Sequence, residues 1–229
     1  MGFRTMDQKN FLRTLLALAE EYEVPFSEEQ ALKCHEHVSL MLEWNRQCNL
    51  TRITDYGEII EKHILDSLIP AKWLPHAGTA IDIGSGPGFP GIPLKILHPE
   101  IDMLLLESHR KKASFLKVLL AKLMLPKVWV LQERWEELTR SGHPFLRNPP
   151  KLATMRAVRL DPEHLSAASK IFGPDGVFAW WAGPGTDLKR DEDHDGRLEK
   201  AGMILEGRYS YSLPSTSQPR YVFIWRKAA

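Results

Sequence analysis

The segment Ala80-Ile81-Asp82-Ile83-Gly84-Ser85-Gly86-Pro87-Gly88-Phe89-Pro90-Gly91 limits what this chain can fold into more than any other stretch. A short apolar run passes directly into a glycine-rich turn, the pattern of a buried strand that reverses into a helix. Glycine permits positive φ and close approach of a ligand to the backbone. A turn of this kind at the carboxyl end of a strand is where open sheets bind ligands.

The rest of the chain fits that frame. Candidate strands at Thr79 to Ile83, Met103 to Glu107, Val128 to Leu131, Leu152 to Met155 and Gly176 to Trp181 alternate with helical stretches. That alternation predicts βαβ units around a mainly parallel sheet, an α/β class. Ile204 to Leu213 and Arg220 to Trp225, separated by Pro214 to Ser217, read as a closing hairpin. A doubly wound sheet ending in an antiparallel hairpin resembles the seven-stranded class I methyltransferase architecture, which is Rossmann-like. Upstream, residues 7 to 70 carry helical periodicity (Phe11, Leu15, Leu16, Leu18, Ala19), with capping signatures at Ser27/Gln30 and Asp55/Glu58. Two domains are expected, a helical cap over 1–70 and the α/β unit over 71–229.

The glycine turn supports two readings. Gly86, Gly88 and Gly91 satisfy the spacing of a dinucleotide fingerprint, while Asp82, Gly84, Gly86 and Gly88 satisfy that of an S-adenosylmethionine-binding first motif. A carboxylate beside the loop favours a cationic amino-acid end over a diphosphate. Pro90 and Pro93 remove N–H donors that a diphosphate needs. Glu107, about 20 residues on, is placed to accept from ribose hydroxyls in either nucleotide. The methyl donor is favoured; a nicotinamide-dependent oxidoreductase is the alternative.

Several segments together resemble the 16S ribosomal RNA guanine-N7 methyltransferase family, also called glucose-inhibited division protein B. They are Trp44-Asn45-Arg46-Gln47-Cys48-Asn49-Leu50-Thr51, Lys62-His63-Ile64-Leu65-Asp66-Ser67-Leu68, Gly84 through Pro93, Glu107-Ser108 with Lys111-Lys112, Arg134-Trp135-Glu136 and Arg156-Ala157. The resemblance implies that S-adenosylmethionine is held by the loop around Gly84 and Phe89, by Trp135-Glu136 near the adenine, and by Arg156. It also implies that the partner is 16S ribosomal RNA or the small ribosomal subunit. Three positions depart from the family pattern: Met155 stands for a serine, Glu107-Ser108-His109 for Asp-Ser-Leu, and a lysine after the fifth strand is absent near Trp181-Ala182-Gly183.

Guanine N7 has a free lone pair, so direct in-line methyl transfer needs no general base, and orientation with electrostatics is the protein's task. Asn45, Asn49, His63 and Asp66 are candidates for holding the base. Packing between cap and sheet is the equal reading for the two asparagines and the stronger one for His63 and Asp66. Arg156 suits a carboxylate or phosphate in the crevice, against a plain ion pair. Arg110, Lys111, Lys112, Lys117 and Lys122 put positive charge on one helix, suited to RNA phosphates or simply to solvent. A noncatalytic RNA-binding module of the same fold is the third hypothesis.

Composition narrows these options. A net charge of +1 gives no global pull toward nucleic acid, so affinity has to be local. Two cysteines are too few for a disulfide framework or a zinc site. No apolar run reaches the ~20 residues of a membrane span, and the N-terminus from Met1 to Met6 has no long apolar signal core, so export is not expected. A cytoplasmic monomer with no metal is expected.

Overall fold

A computed structural model of the chain describes residues 6–183 and 202–228. Its centre is a seven-stranded sheet in the order β3-β2-β1-β4-β5-β7-β6. The strands are β1 (Gly78–Ile83), β2 (Ile101–Leu106), β3 (Val128–Leu131), β4 (Leu152–Arg156), β5 (Val177–Ala182), β6 (Met203–Leu213) and β7 (Thr216–Lys227). The first five run parallel, while β7 lies antiparallel between β5 and β6. Burial on both faces explains the near-continuous apolar character of β1, β2 and β5.

The chain leaves β1 toward β2 on one side and returns to pair β4 with β1 on the other. This reversal opens a crevice at the carboxyl ends of β1 and β4, the place where open α/β sheets take ligands.

The expected hairpin forms, but β7 starts at Thr216 rather than Arg220, because Leu213 already pairs with Thr216 and leaves only Pro214 and Ser215 at the tip. Pro219 is tolerated in β7 because it lies beyond the β5 pairing, which ends at Tyr221.

Two helices, α1 (Gln8–Glu21) and α2 (Glu28–Cys48), precede the sheet. Ser27 and Gln30 form the expected capping box, and Gln30 Nε2 also donates to the Ile96 carbonyl at 2.7 Å. Asp55 caps the next helical segment, accepting from Glu58 N. That segment passes from α3 (Tyr56–Ile59) through a π-helical stretch (Ile60–Leu65) and α4 (Asp66–Leu68) to a 3-10 turn (Ile69–Trp73). A π insertion of this sort commonly marks a functional position, and here it carries His63.

Helices α5 (Gly91–Leu97) and α6 (Arg110–Leu123) share one sheet face with the cap; α7 (Trp135–Ser141) and α8 (Pro162–Ile171) cover the other. Phe11, Met41 and Ile64 of the cap belong to the same buried cluster as Leu105 of β2 and Ile224 of β7. Cap and sheet therefore share one core, and the cap presents its residues to the crevice from a fixed position.

Candidate active site

The crevice has two lobes, of about 400 Å³ and about 300 Å³, that share Gly84, Ser108 and Val158. The larger lobe is lined by Thr51, His63, Phe89, Glu107, Lys112 and Arg156, among others. The smaller is lined by Glu133, Trp135, Glu136 and His164 together with the ends of β1 and β2. A separate apolar cavity of about 180 Å³ near the α1–α2 turn contains no carboxylate other than Glu23 and stands apart from this chemistry.

The loop between them is tied down from within the protein. The N–H groups of Ser85, Gly88, Phe89 and Ile92 donate to the carbonyls of Leu106, Ser85, Ser85 and Gly88 respectively. Gly86 N donates to Glu107 Oε2 at 2.9 Å and Gly91 N to Asp82 Oδ2 at 3.3 Å. Pro87 and Pro90 have no N–H. Almost no backbone donor remains for a diphosphate, so the dinucleotide reading loses its physical basis. Glycine is required at 84 and 91, where an added Cβ would meet Val158 at 2.9 Å and Asp82 at 2.7 Å.

Asp82 is fully buried beneath the loop and does not line either lobe. Thr154 Oγ1 donates to its Oδ1 at 2.7 Å, and burial pushes its carboxyl up to about 6 against these hydrogen bonds. Its carboxylate is a fastener between β1, β4 and α5 in this structure. A strand-end acid in sequence does not reveal which way its carboxylate turns.

Glu107 directly follows β2 and is 4% exposed. Besides Gly86 N, it accepts from His109 N at 2.7 Å. Two oxygens offer about four lone-pair sites, so capacity remains for ligand hydroxyls. Trp135 is 3% exposed and donates to the His164 carbonyl, which makes it a wall of the smaller lobe, whereas Glu136 is exposed at its rim. Glu133, which the sequence did not single out, carries a buried Oε2 with no partner among the described residues.

In the larger lobe, Phe89 is sandwiched between His37 at 4.6 Å and His63 at 4.8 Å, both rings within 18° of parallel. The Arg156 guanidinium lies 5.5 Å from its centroid. His37, also absent from the sequence candidates, meets the Pro87 carbonyl at 2.6 Å and so fixes the loop from the cap side. Burial lowers its pKa to about 4. His63 is brought to about 3, by burial first and then by the Arg156 charge.

Asp66 accepts from Arg156 Nη1 at 2.8 Å and from the Tyr211 hydroxyl at 2.8 Å, while its carbonyl accepts from Trp181 Nε1 at 2.7 Å. Arg156 is thus ion-paired and also lines the larger lobe. Asp66 does not line the lobe and anchors Arg156, the kind of packing contact that the sequence placed ahead of base holding for it.

Asn45 and Asn49 are likewise used locally. Asn45 forms a two-way bond with the Thr51 backbone, at 3.0 and 2.8 Å, and Asn49 is the left-handed C-cap of α2 (φ 49°). Neither lines the crevice. Of the five basic residues along α6, Lys112 borders the larger lobe, and Arg110, Lys111, Lys117 and Lys122 are exposed. The departures at Met155 and Ala182 are buried in the core on the α7–α8 side, so they alter packing rather than the crevice.

Comparison with known proteins adds an independent view. Residues 30–193 match the family described as GidB, rRNA small subunit methyltransferase G. The chain is 48% identical over 219 residues to the ribosomal RNA small subunit methyltransferase G 1 of Syntrophobacter fumaroxidans, covering 93% of this chain and 96% of that one. It is 46% identical over 191 residues to the corresponding protein of Caldanaerobacter subterraneus, covering 82% and 78%. Among solved structures, a precorrin-6y C5,15-methyltransferase from Geobacter metallireducens superposes with a TM-score of 0.51 at 17% identity, over 76% of this chain and 90% of that one. M. jannaschii TYW2, solved in complex with AdoMet, gives 0.50 at 14% identity over 69% and 71%. These two likenesses concern the fold alone.

Proposed function

The chain belongs to the GidB family of small-subunit ribosomal RNA methyltransferases, and from that membership we propose that it moves a methyl group from S-adenosylmethionine to N7 of a guanine in 16S ribosomal RNA. The observation that carries the choice of cofactor is the inward use of the loop's N–H groups, which leaves almost no backbone donor for a diphosphate. The lobes mix Glu107, Glu133 and Glu136 with Arg134, Lys112 and Arg156, a lining compatible with a cofactor that carries a cationic sulfonium and a zwitterionic amino-acid end.

The residues fit this nucleoside. The unpartnered oxygen of Glu133 offers an acceptor beside the smaller lobe, matching an amino-purine. Glu107 would hold the ribose hydroxyls, Trp135 and Glu136 would border the purine, and Arg156 would face the carboxylate end. When bound, the cofactor supplies a methyl group activated by its positive sulfur.

The protein's own residues then orient and exclude water. Phe89, clamped between two neutral imidazoles, gives the larger lobe a rigid aromatic wall. Lys112, with Arg110 and Lys111 in the same first turn of α6, would meet RNA phosphates near the mouth. His37 and His63 are held neutral, and no residue is assigned as a general base, in keeping with attack by a lone pair already present on N7. The expected working environment is the cytoplasm. Among the described residues, no helix is long and apolar enough to cross a membrane.

Incubation with labelled S-adenosylmethionine and unmethylated small ribosomal subunits, followed by nucleoside mass spectrometry, tests this reading. The expected product is 7-methylguanosine in 16S RNA. Label at another base position, or binding of dinucleotide but not of S-adenosylhomocysteine, overturns it.

A further inference from the structure

Thr51 has every hydrogen-bonding atom engaged except one. Its backbone N–H and carbonyl are taken by the Asn45 amide. Its Oγ1 accepts from Ile53 N at 3.1 Å and lies 3.0 Å from His63 Nε2. The direction of that last bond follows from the other side of the ring. Arg156 Nη2 lies 3.2 Å from His63 Nδ1, and a guanidinium can only donate, so Nδ1 accepts. A neutral imidazole with Nδ1 as acceptor carries its proton on Nε2 and therefore donates to Thr51.

A hydroxyl oxygen has two lone pairs and one proton. Both lone pairs of Thr51 are occupied, which leaves its O–H as a donor with no acceptor among the described residues, on a side chain that lines the larger lobe. The chain from Arg156 through His63 to Thr51 thus has a fixed polarity that ends on a donor.

We propose that Thr51 is a specificity-determining residue that donates to the 6-oxo group of the target purine, selecting guanine over an amino-purine. This rests on the guanine reading above and adds the residue that reads the base. The carbonyl at position 6 borders N7 on the same edge, so one donor both recognises the base and presents the reacting nitrogen. An adenine would bring its own N–H₂ to an oxygen with no free lone pair. The mismatch is donor against donor.

The test compares small subunits reconstituted with guanine or with 2-aminopurine, which lacks the 6-oxygen, at the position that mass spectrometry shows to be methylated. The full-length wild type, Thr51→Val and Thr51→Ser are assayed for kcat/KM on each, and for S-adenosylhomocysteine affinity by calorimetry. The wild type and Thr51→Ser are expected to favour guanine on the order of 10-fold or more. In Thr51→Val that ratio should fall to within about twofold of unity through loss on guanine, with cofactor affinity within about threefold of wild type.

A purely structural role for the hydroxyl would slow both substrates alike and leave the ratio intact, which overturns the proposal. Loss of cofactor affinity with an unchanged ratio also overturns it, by assigning the hydroxyl to the methyl donor. If wild type methylates no guanine at all, the parent reading fails first, and that outcome is distinguishable from either.

Discussion

Arg156, at the end of β4, donates to Asp66 of the cap across 2.8 Å, and this ion pair ties the cap to the mouth of the sheet beside the apolar core that the two share. The carboxylate also accepts from Tyr211 of β6, so three elements converge on it. Arg156 is thereby held beside Phe89 without a free counter-charge to draw it away.

Asp66→Ala should destabilise the protein by about 3–5 kcal/mol, because it strands a buried guanidinium and a buried phenol. Asp66→Asn keeps an acceptor for Tyr211 and should cost less. Urea denaturation checks both, and a loss below about 1 kcal/mol for the alanine variant would show that the network is loose.

Glu107→Gln preserves shape but replaces charge-assisted bonds to Gly86 and His109 with weaker ones. S-adenosylhomocysteine affinity should drop about 10-fold, and about 100-fold in Glu107→Ala, where the loop also loses its anchor. Calorimetric titration gives the numbers. Equal affinity in all three proteins would remove Glu107 from the cofactor site.

Gly91→Ala forces a methyl group to within 2.7 Å of Asp82 Oδ2 and Leu105 Cδ2. Both neighbours are buried, so relaxation is limited and the expected cost is about 1–3 kcal/mol. The melting temperature should fall along with cofactor affinity. An unchanged melting temperature would mean that the start of α5 yields easily.

Low pH should weaken the fold through the imidazole sandwich. His37 and His63 stay neutral in the native state down to about 4 and about 3, while in the unfolded chain they protonate below 6.5. Their contribution is complete above 6.5 and declines as pH falls, because the unfolded state binds the extra protons. Asp82, raised to about 6 from 3.8, acts in the opposite sense and offsets one of the two. These three groups together should therefore lower stability by about 1.4 kcal/mol per pH unit between 6 and 4. His37→Phe, which keeps a ring against Phe89, should flatten that slope, and a wild type equally stable at pH 7 and pH 4.5 would contradict the account.

Much of the architecture was already readable in the residues. The run from Ala80 to Gly91 marks strand, turn and helix because buried strands need continuous apolar residues and the turn needs glycine. Ser27 with Gln30 marks the start of α2 because capping is a local bond between residues three apart. Glu107 could be placed by its distance along the chain, since the length of a βα unit sets where the second strand ends.

What only the tertiary structure decided is which way each polar side chain turns. Asp82 faces Thr154, 72 residues away, and so lies under the loop instead of in the crevice. Asn45 and Asn49 are used locally by the turn after α2, while Thr51, an unremarked member of the same motif, lines the site. His37 and Glu133 gave no signal, because their importance comes from Phe89 and from an empty hydrogen-bond valence that only packing creates. Spacing along a chain specifies backbone elements; the direction of a hydrogen bond depends on partners brought together from distant parts of it.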